Sequence, residues 1–80
     1  MGNMYWKDFE HSNLIVGDLY QQKGWMKLAT SLVDESCVYA NNPIMMYIEY
    51  NHSYDLHCFL YENNFVYYSN AKAQELKHVK

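Results

Sequence analysis

Asn41-Asn42-Pro43-Ile44-Met45-Met46-Tyr47-Ile48-Glu49-Tyr50 is the stretch on which the reading of this chain turns. A proline pushes the residue before it out of the helical region, so Asn-Asn-Pro marks a loop. Pro43 is the sole proline and divides the chain into halves of different pattern. After it the period is two: Ile44, Met46, Ile48 and Tyr50 alternate with Met45, Tyr47, Glu49 and Asn51. Such alternation is the mark of a strand. Asn51-His52-Ser53 reads as a turn, and beyond it Leu56, Cys58 and Leu60 alternate with Asp55, His57, Phe59 and Tyr61. Glu62-Asn63-Asn64 is a second turn and Phe65 to Tyr68 a third short strand. Runs of this kind joined by short Asn-bearing loops predict a three-stranded antiparallel meander.

Before Pro43 the pattern is helical. Trp25, Leu28, Ala29, Leu32 and Val33 fall on one stripe at i, i+3, i+4, i+7 and i+8, starting after Gly24 and ending at Asp34-Glu35-Ser36. Tyr5, Trp6, Phe9, Val16 and Tyr20 share a helical face and predict a helix over 4–22, with a strand at Leu14 to Tyr20 as the competing reading. Gly17 weakens the helix. Ser69 or Asn70 can cap a last helix from Ala71 to about His78. The expected fold class is therefore α+β. One domain over 1–80 would pack an N-terminal helical region on the meander and end in a short C-terminal helix.

The meander carries two unlike faces. Ile44, Met46, Ile48, Leu56, Cys58 and Leu60 form a nearly pure apolar face, expected to pack on the Trp25 helix. Met45, Tyr47, Glu49, Asp55, His57, Phe59 and Tyr61 form a mixed one. A solvated face is normally more polar than this. Its cover would be the first or last helix, a partner protein or a second copy, and interfaces favour aromatic residues and Met. These seven residues are the expected partner-binding set.

Composition excludes several classes. Half of the 80 residues are hydrophobic and 19% are charged, too apolar for a disordered chain. The net charge is −3 and all six basic residues are lysines. Arginine is the preferred ligand of phosphates and base edges. Its absence argues against direct nucleic-acid binding, although Lys72, Lys77 and Lys80 cluster at the end. The N-terminal Met1 to Lys7 has no basic segment followed by an apolar run, and no apolar stretch nears the ~20 residues that span a bilayer. With only Cys37 and Cys58 as thiols, a cytoplasmic protein is expected, with no membrane contact.

No motif for catalysis, cofactor or metal stands out. There is no C-x-x-C pair, no glycine-rich phosphate loop and no helical H-x-x-x-H. His57 and Cys58 are neighbours on a strand and point to opposite faces, so they share neither an ion nor a catalytic dyad. In kind, though by no motif, the chain resembles the small accessory proteins that phages and mobile elements use against host machinery, and its Asn-, Lys- and Tyr-rich, arginine-free composition is typical of AT-rich genomes. The expected function is a protein-binding or inhibitory module, not an enzyme, which occupies a surface of a larger partner protein. The alternatives are a homodimeric scaffold or regulator, and an acid–base enzyme centred on His57 with Glu49 and Asp55.

Overall fold

The computed structural model describes residues 14–79. Among these residues are seven strands in one antiparallel sheet and one short helix. The strands are β1 (Leu19–Gln21), β2 (Trp25–Ala29), β3 (Cys37–Asn41), β4 (Ile44–Asn51), β5 (Leu56–Tyr61), β6 (Asn64–Ser69) and β7 (Lys77–Val79). The helix α1 (Asn70–Ala73) lies between β6 and β7. In space the order is β3-β2-β6-β5-β4-β1-β7.

The fold is thus mostly β, and the expected α+β arrangement is overturned. The three strands after Pro43 are present as β4, β5 and β6, but they form the middle of a larger sheet rather than the whole of it. Residues 25–33, expected as a helix, instead form β2 and a turn. The reason lies in a hydroxyl within the apolar stripe and a carboxylate just after it. Ser31 Oγ accepts from the N–H groups of Val33 (3.1 Å) and Asp34 (3.3 Å), and Asp34 Oδ1 accepts from Ser36 N–H (2.9 Å). Side chains of this type offer the backbone a turn in place of a helix. Hydrogen bonds from the Ser36 side chain first, then from the Ser36 N–H and the Ser31 hydroxyl, hold the Asp34 carboxyl below its usual range. Within the expected helix over 4–22, residues 4–13 lie outside the described residues. The remainder is a turn followed by β1, which shares only Leu19 and Tyr20 with the competing strand reading. Gly17, at φ 92°, and Asp18 together oppose Tyr47, the two-against-one pattern of a β-bulge. The last helix begins at Ser69, one of its two expected caps, whose Oγ accepts from Lys72 N–H. It stops at Ala73, and β7 takes the place of its second half.

The sheet curls because two of its strand pairs are one ribbon. β1 runs into β2 and β3 runs into β4, with β1 paired to β4 and β2 paired to β3. At the bend Gly24 and Asn42 bond reciprocally: Asn42 N–H donates to Gly24 O (2.8 Å) and Gly24 N–H donates to Asn42 Oδ1 (2.6 Å). Both take positive φ, 91° and 53°, a region that Gly enters freely and Asn more readily than most. The far half of the ribbon then meets β6 through Ala29 and Tyr67. Beyond that pair the strands splay, and a cavity of about 260 Å³ lined by Met26, Tyr68, Ser69 and Lys72 opens between them.

The core fills the inside of this curl. Tyr20, Leu28, Ala40, Met45, Tyr47, Phe59, Val66, Tyr68 and Ala73 form it. Phe59 is at its centre, wholly buried, with the rings of Tyr20, Tyr47 and Tyr68 at 6.2, 5.1 and 5.3 Å. Aromatic pairs at such separations add to the area term. Truncation Phe59→Ala should cost about 3–5 kcal/mol, whereas Phe65→Ala, at an exposed position, should cost under ~1 kcal/mol. Urea titration of both variants checks this, and equal losses would mean that the core lies on the other face.

Candidate contact surface and the buried histidine

The strand register decides which face each side chain takes, because paired residues across a sheet share a face. Facing inward are Met45, Tyr47, His57, Phe59 and Tyr61. The expected partner-binding set is therefore not one exposed surface. Met45, Tyr47, His57 and Phe59 are buried and Tyr61 is half-buried against the core. Glu49 is exposed on the outer face opposite Cys58. Asp55 sits in the β4–β5 turn with φ 57°, its carboxylate accepting from Tyr50 Oη–H. Two physical causes separate the seven. The ribbon bend closes the chain over the mixed face, and a bulge at Ile48 shifts the register between Tyr47 and Glu49. After the bulge Tyr50 points inward beside His57, and Glu49 points out.

His57 is fully buried, and its polarity is met from within. Tyr47 Oη lies 3.0 Å from Nδ1 and Asn70 Oδ1 lies 3.0 Å from Nε2. An amide oxygen only accepts, so in the neutral ring Nε2 carries the hydrogen and Nδ1 accepts from the tyrosine hydroxyl. β4, β5 and the first residue of α1 thus meet at one imidazole. Burial first, then Tyr20, Cys58 and Glu49, pushes the Tyr47 hydroxyl up from its ordinary value, which keeps it a donor. Asn70 also lines a cavity of about 260 Å³ with Tyr20, Ala73, Leu76 and His78. The His78 ring stacks on Tyr20 at 5.0 Å and its Nε2 lies 2.8 Å from Asp18 Oδ2.

The thiols are apart. Cys58 is buried, and burial followed by Glu49 raises its thiol, a shift that lowers reactivity. Cys37 is half-buried on β3. Among the described residues no group of three or more His, Cys, Asp or Glu is placed to hold a metal ion. No helix among them is long and apolar enough to cross a membrane.

The outer face carries the apolar residues that were expected inside. Val79, Leu19, Met46, Leu60 and Phe65 lie in one register row across β7, β1, β4, β5 and β6. At about 4.8 Å per strand the row is ~19 Å long. Leu19, Met46 and Phe65 are exposed, as is Ile44, two residues along β4 from Met46. Gln21 and Lys77 border Ile44 on one side, and Glu49 lies beyond the row on the other. An apolar strip with a polar rim has the anatomy of a protein interface. Reading from sequence missed this strip as a surface, since Ile44, Met46 and Leu60 look like core. The available signal was volume: the inward set holds the larger rings.

Comparison of the chain with protein-family models, curated proteins and solved structures finds no match. Nothing in them supports an inhibitory, viral or anti-defence role.

Two tyrosines give contrasting predictions. Tyr47→Phe removes the hydroxyl bonded to His57 and should cost about 1–3 kcal/mol. Tyr68 is buried, and among the described residues its hydroxyl has no hydrogen-bond partner. Tyr68→Phe should therefore be neutral or stabilising. Burial, and then Glu75, pushes the Tyr68 hydroxyl up to about 12. The unfolded chain ionises near 10, so stability is complete below pH 10 and falls between pH 10 and 12 as the unfolded state alone loses the proton. The loss is on the order of 2 kcal/mol. Urea titrations across that range should show the slope in the wild type and a shallower one in Tyr68→Phe. Identical slopes would remove Tyr68 as its source.

Proposed function

We propose that this protein is a binding module that docks on a larger protein through its outer face, with Leu19, Ile44, Met46 and Phe65 as the anchors. The observation that carries the reading is the register row from Val79 to Phe65, apolar throughout and exposed at three of its positions. Exposing such a row without a partner costs solvation free energy, roughly 25 cal/mol for each Å² of apolar surface left in water. The partner would present a complementary apolar ridge, and a few anchors would dominate the affinity. What supports a non-catalytic reading is that His57 is committed to Tyr47 and Asn70 and is closed to solvent.

The test uses a photo-reactive residue at position 65 or, as control, at the exposed turn position 62, in the native host. Cross-links to one protein other than itself should form from 65 and be at least tenfold weaker from 62. The variant Leu19→Ser, Met46→Ser, Phe65→Ser should abolish them while keeping the β-rich circular dichroism spectrum. Equal cross-linking from both positions, or binding unchanged in the folded triple variant, would sink the reading.

A further inference from the structure

We infer that β3 is the self-association edge of this protein, pairing antiparallel with β3 of a second copy about a two-fold axis through Tyr39. β3 ends the sheet order, so among the described residues nothing pairs with its outer side. Its backbone polarity follows from the ladder with β2. Thr30 N–H donates to Ser36 O (3.0 Å) and Asn42 N–H donates to Gly24 O (2.8 Å). Bonded pairs alternate along an antiparallel ladder. Val38 and Ala40, opposite Leu28 and Met26, therefore turn their N–H and C=O groups toward β2. Cys37, Tyr39 and Asn41 turn theirs outward. The pairing of Ala29 with β6 on the other side of β2 follows the same alternation.

These outward groups are symmetric about Tyr39. In the register that sets Tyr39 against Tyr39 of the second copy, Cys37 meets Asn41 and every outward N–H finds a carbonyl. Charge supports a second copy as the occupant. Glu35, two residues before β3, falls toward the bend of the other copy, where that copy's Lys23 lies. Glu35, Asp34 and Lys23 are exposed. The acidic end of each edge thus faces the basic bend of the other, twice by symmetry. Lys27, opposite Tyr39 on β2, is kept ~14 Å from its counterpart by the two tyrosines, beyond the ~8 Å screening length at physiological salt. The two edges of the sheet also differ. β7 is three residues long and includes Lys77, the blunting that protects an edge. β3 has five residues with no lysine or proline; Tyr39 at its centre is 68% exposed, and Trp25, opposite Asn41 on β2, is 73% exposed.

Sedimentation of the full chain from micromolar to millimolar concentration should show a monomer–dimer equilibrium. Tyr39→Lys sets like charges face to face at the axis and should weaken the dimer at least tenfold with the urea midpoint unchanged. In Asn41→Cys the new thiol meets Cys37 of the other copy, ~5.5 Å away between Cα atoms. Mild oxidation should yield a covalent dimer, absent when Cys37→Ser is added. A monomer at every concentration overturns the inference. A dimer that ignores Tyr39→Lys and gives no Cys37-dependent cross-link overturns it as well, assigning association to another surface.

Discussion

The reciprocal bonding of Gly24 and Asn42 is the constraint from which the rest of the architecture follows. A two-stranded ribbon that ran straight would leave β1–β4 and β2–β3 in one flat layer, with no interior. Bending it at two residues of positive φ carries β2 over the meander to reach β6. An inside then exists, and Leu28 and Ala40 from the far half of the ribbon pack with Met45 and Tyr47 from the near half. The bend has few alternatives in sequence. It needs a residue without a Cβ on one side, and on the other a short amide that tolerates the left-handed region and returns a hydrogen bond.

With so short a chain, the interior is filled by rings rather than by many aliphatic side chains. Phe59 is surrounded by three tyrosines, and their hydroxyls bring polarity with them. The chain answers that polarity in different ways. The Tyr20 hydroxyl accepts from the Ile15 N–H at 2.9 Å, and Tyr47 meets His57. The buried histidine is thus a means of satisfying a tyrosine and of tying α1, through Asn70, to the sheet. A polar residue at the centre of a strand becomes compatible with a core once its donors and acceptors are matched.

How much of this was legible in the sequence varies by segment. The strands after Pro43 were legible, because period-two alternation and Asn-rich turns are local signals, and Ser69 was legible as a cap. Which face is inside was not. Ile44 and Met46 are as apolar as Met45 and Tyr47, and the tie is broken by the bulge at Ile48 and by the ribbon bend, neither of which has a local mark. His57 made the true inner face look solvated. The stripe from Trp25 to Val33 fits a helix by spacing, yet Trp25 and Val33 are both exposed. There the Ser31 and Asp34 bonds, with the pairing of β2 to two neighbours, outweighed a weak intrinsic preference.

The meeting of β2 and β6 at one residue pair, Ala29 with Tyr67, has a kinetic meaning. The meander and the β2–β3 hairpin each join strands adjacent in the chain, so each forms over short loops. The seam between them joins distant parts and, in exchange for the chain entropy lost on closing that span, forms little backbone bonding. Such a seam is expected to form late and part early, with the cavity beside it, rather than the aromatic centre, as the place where solvent should first gain entry.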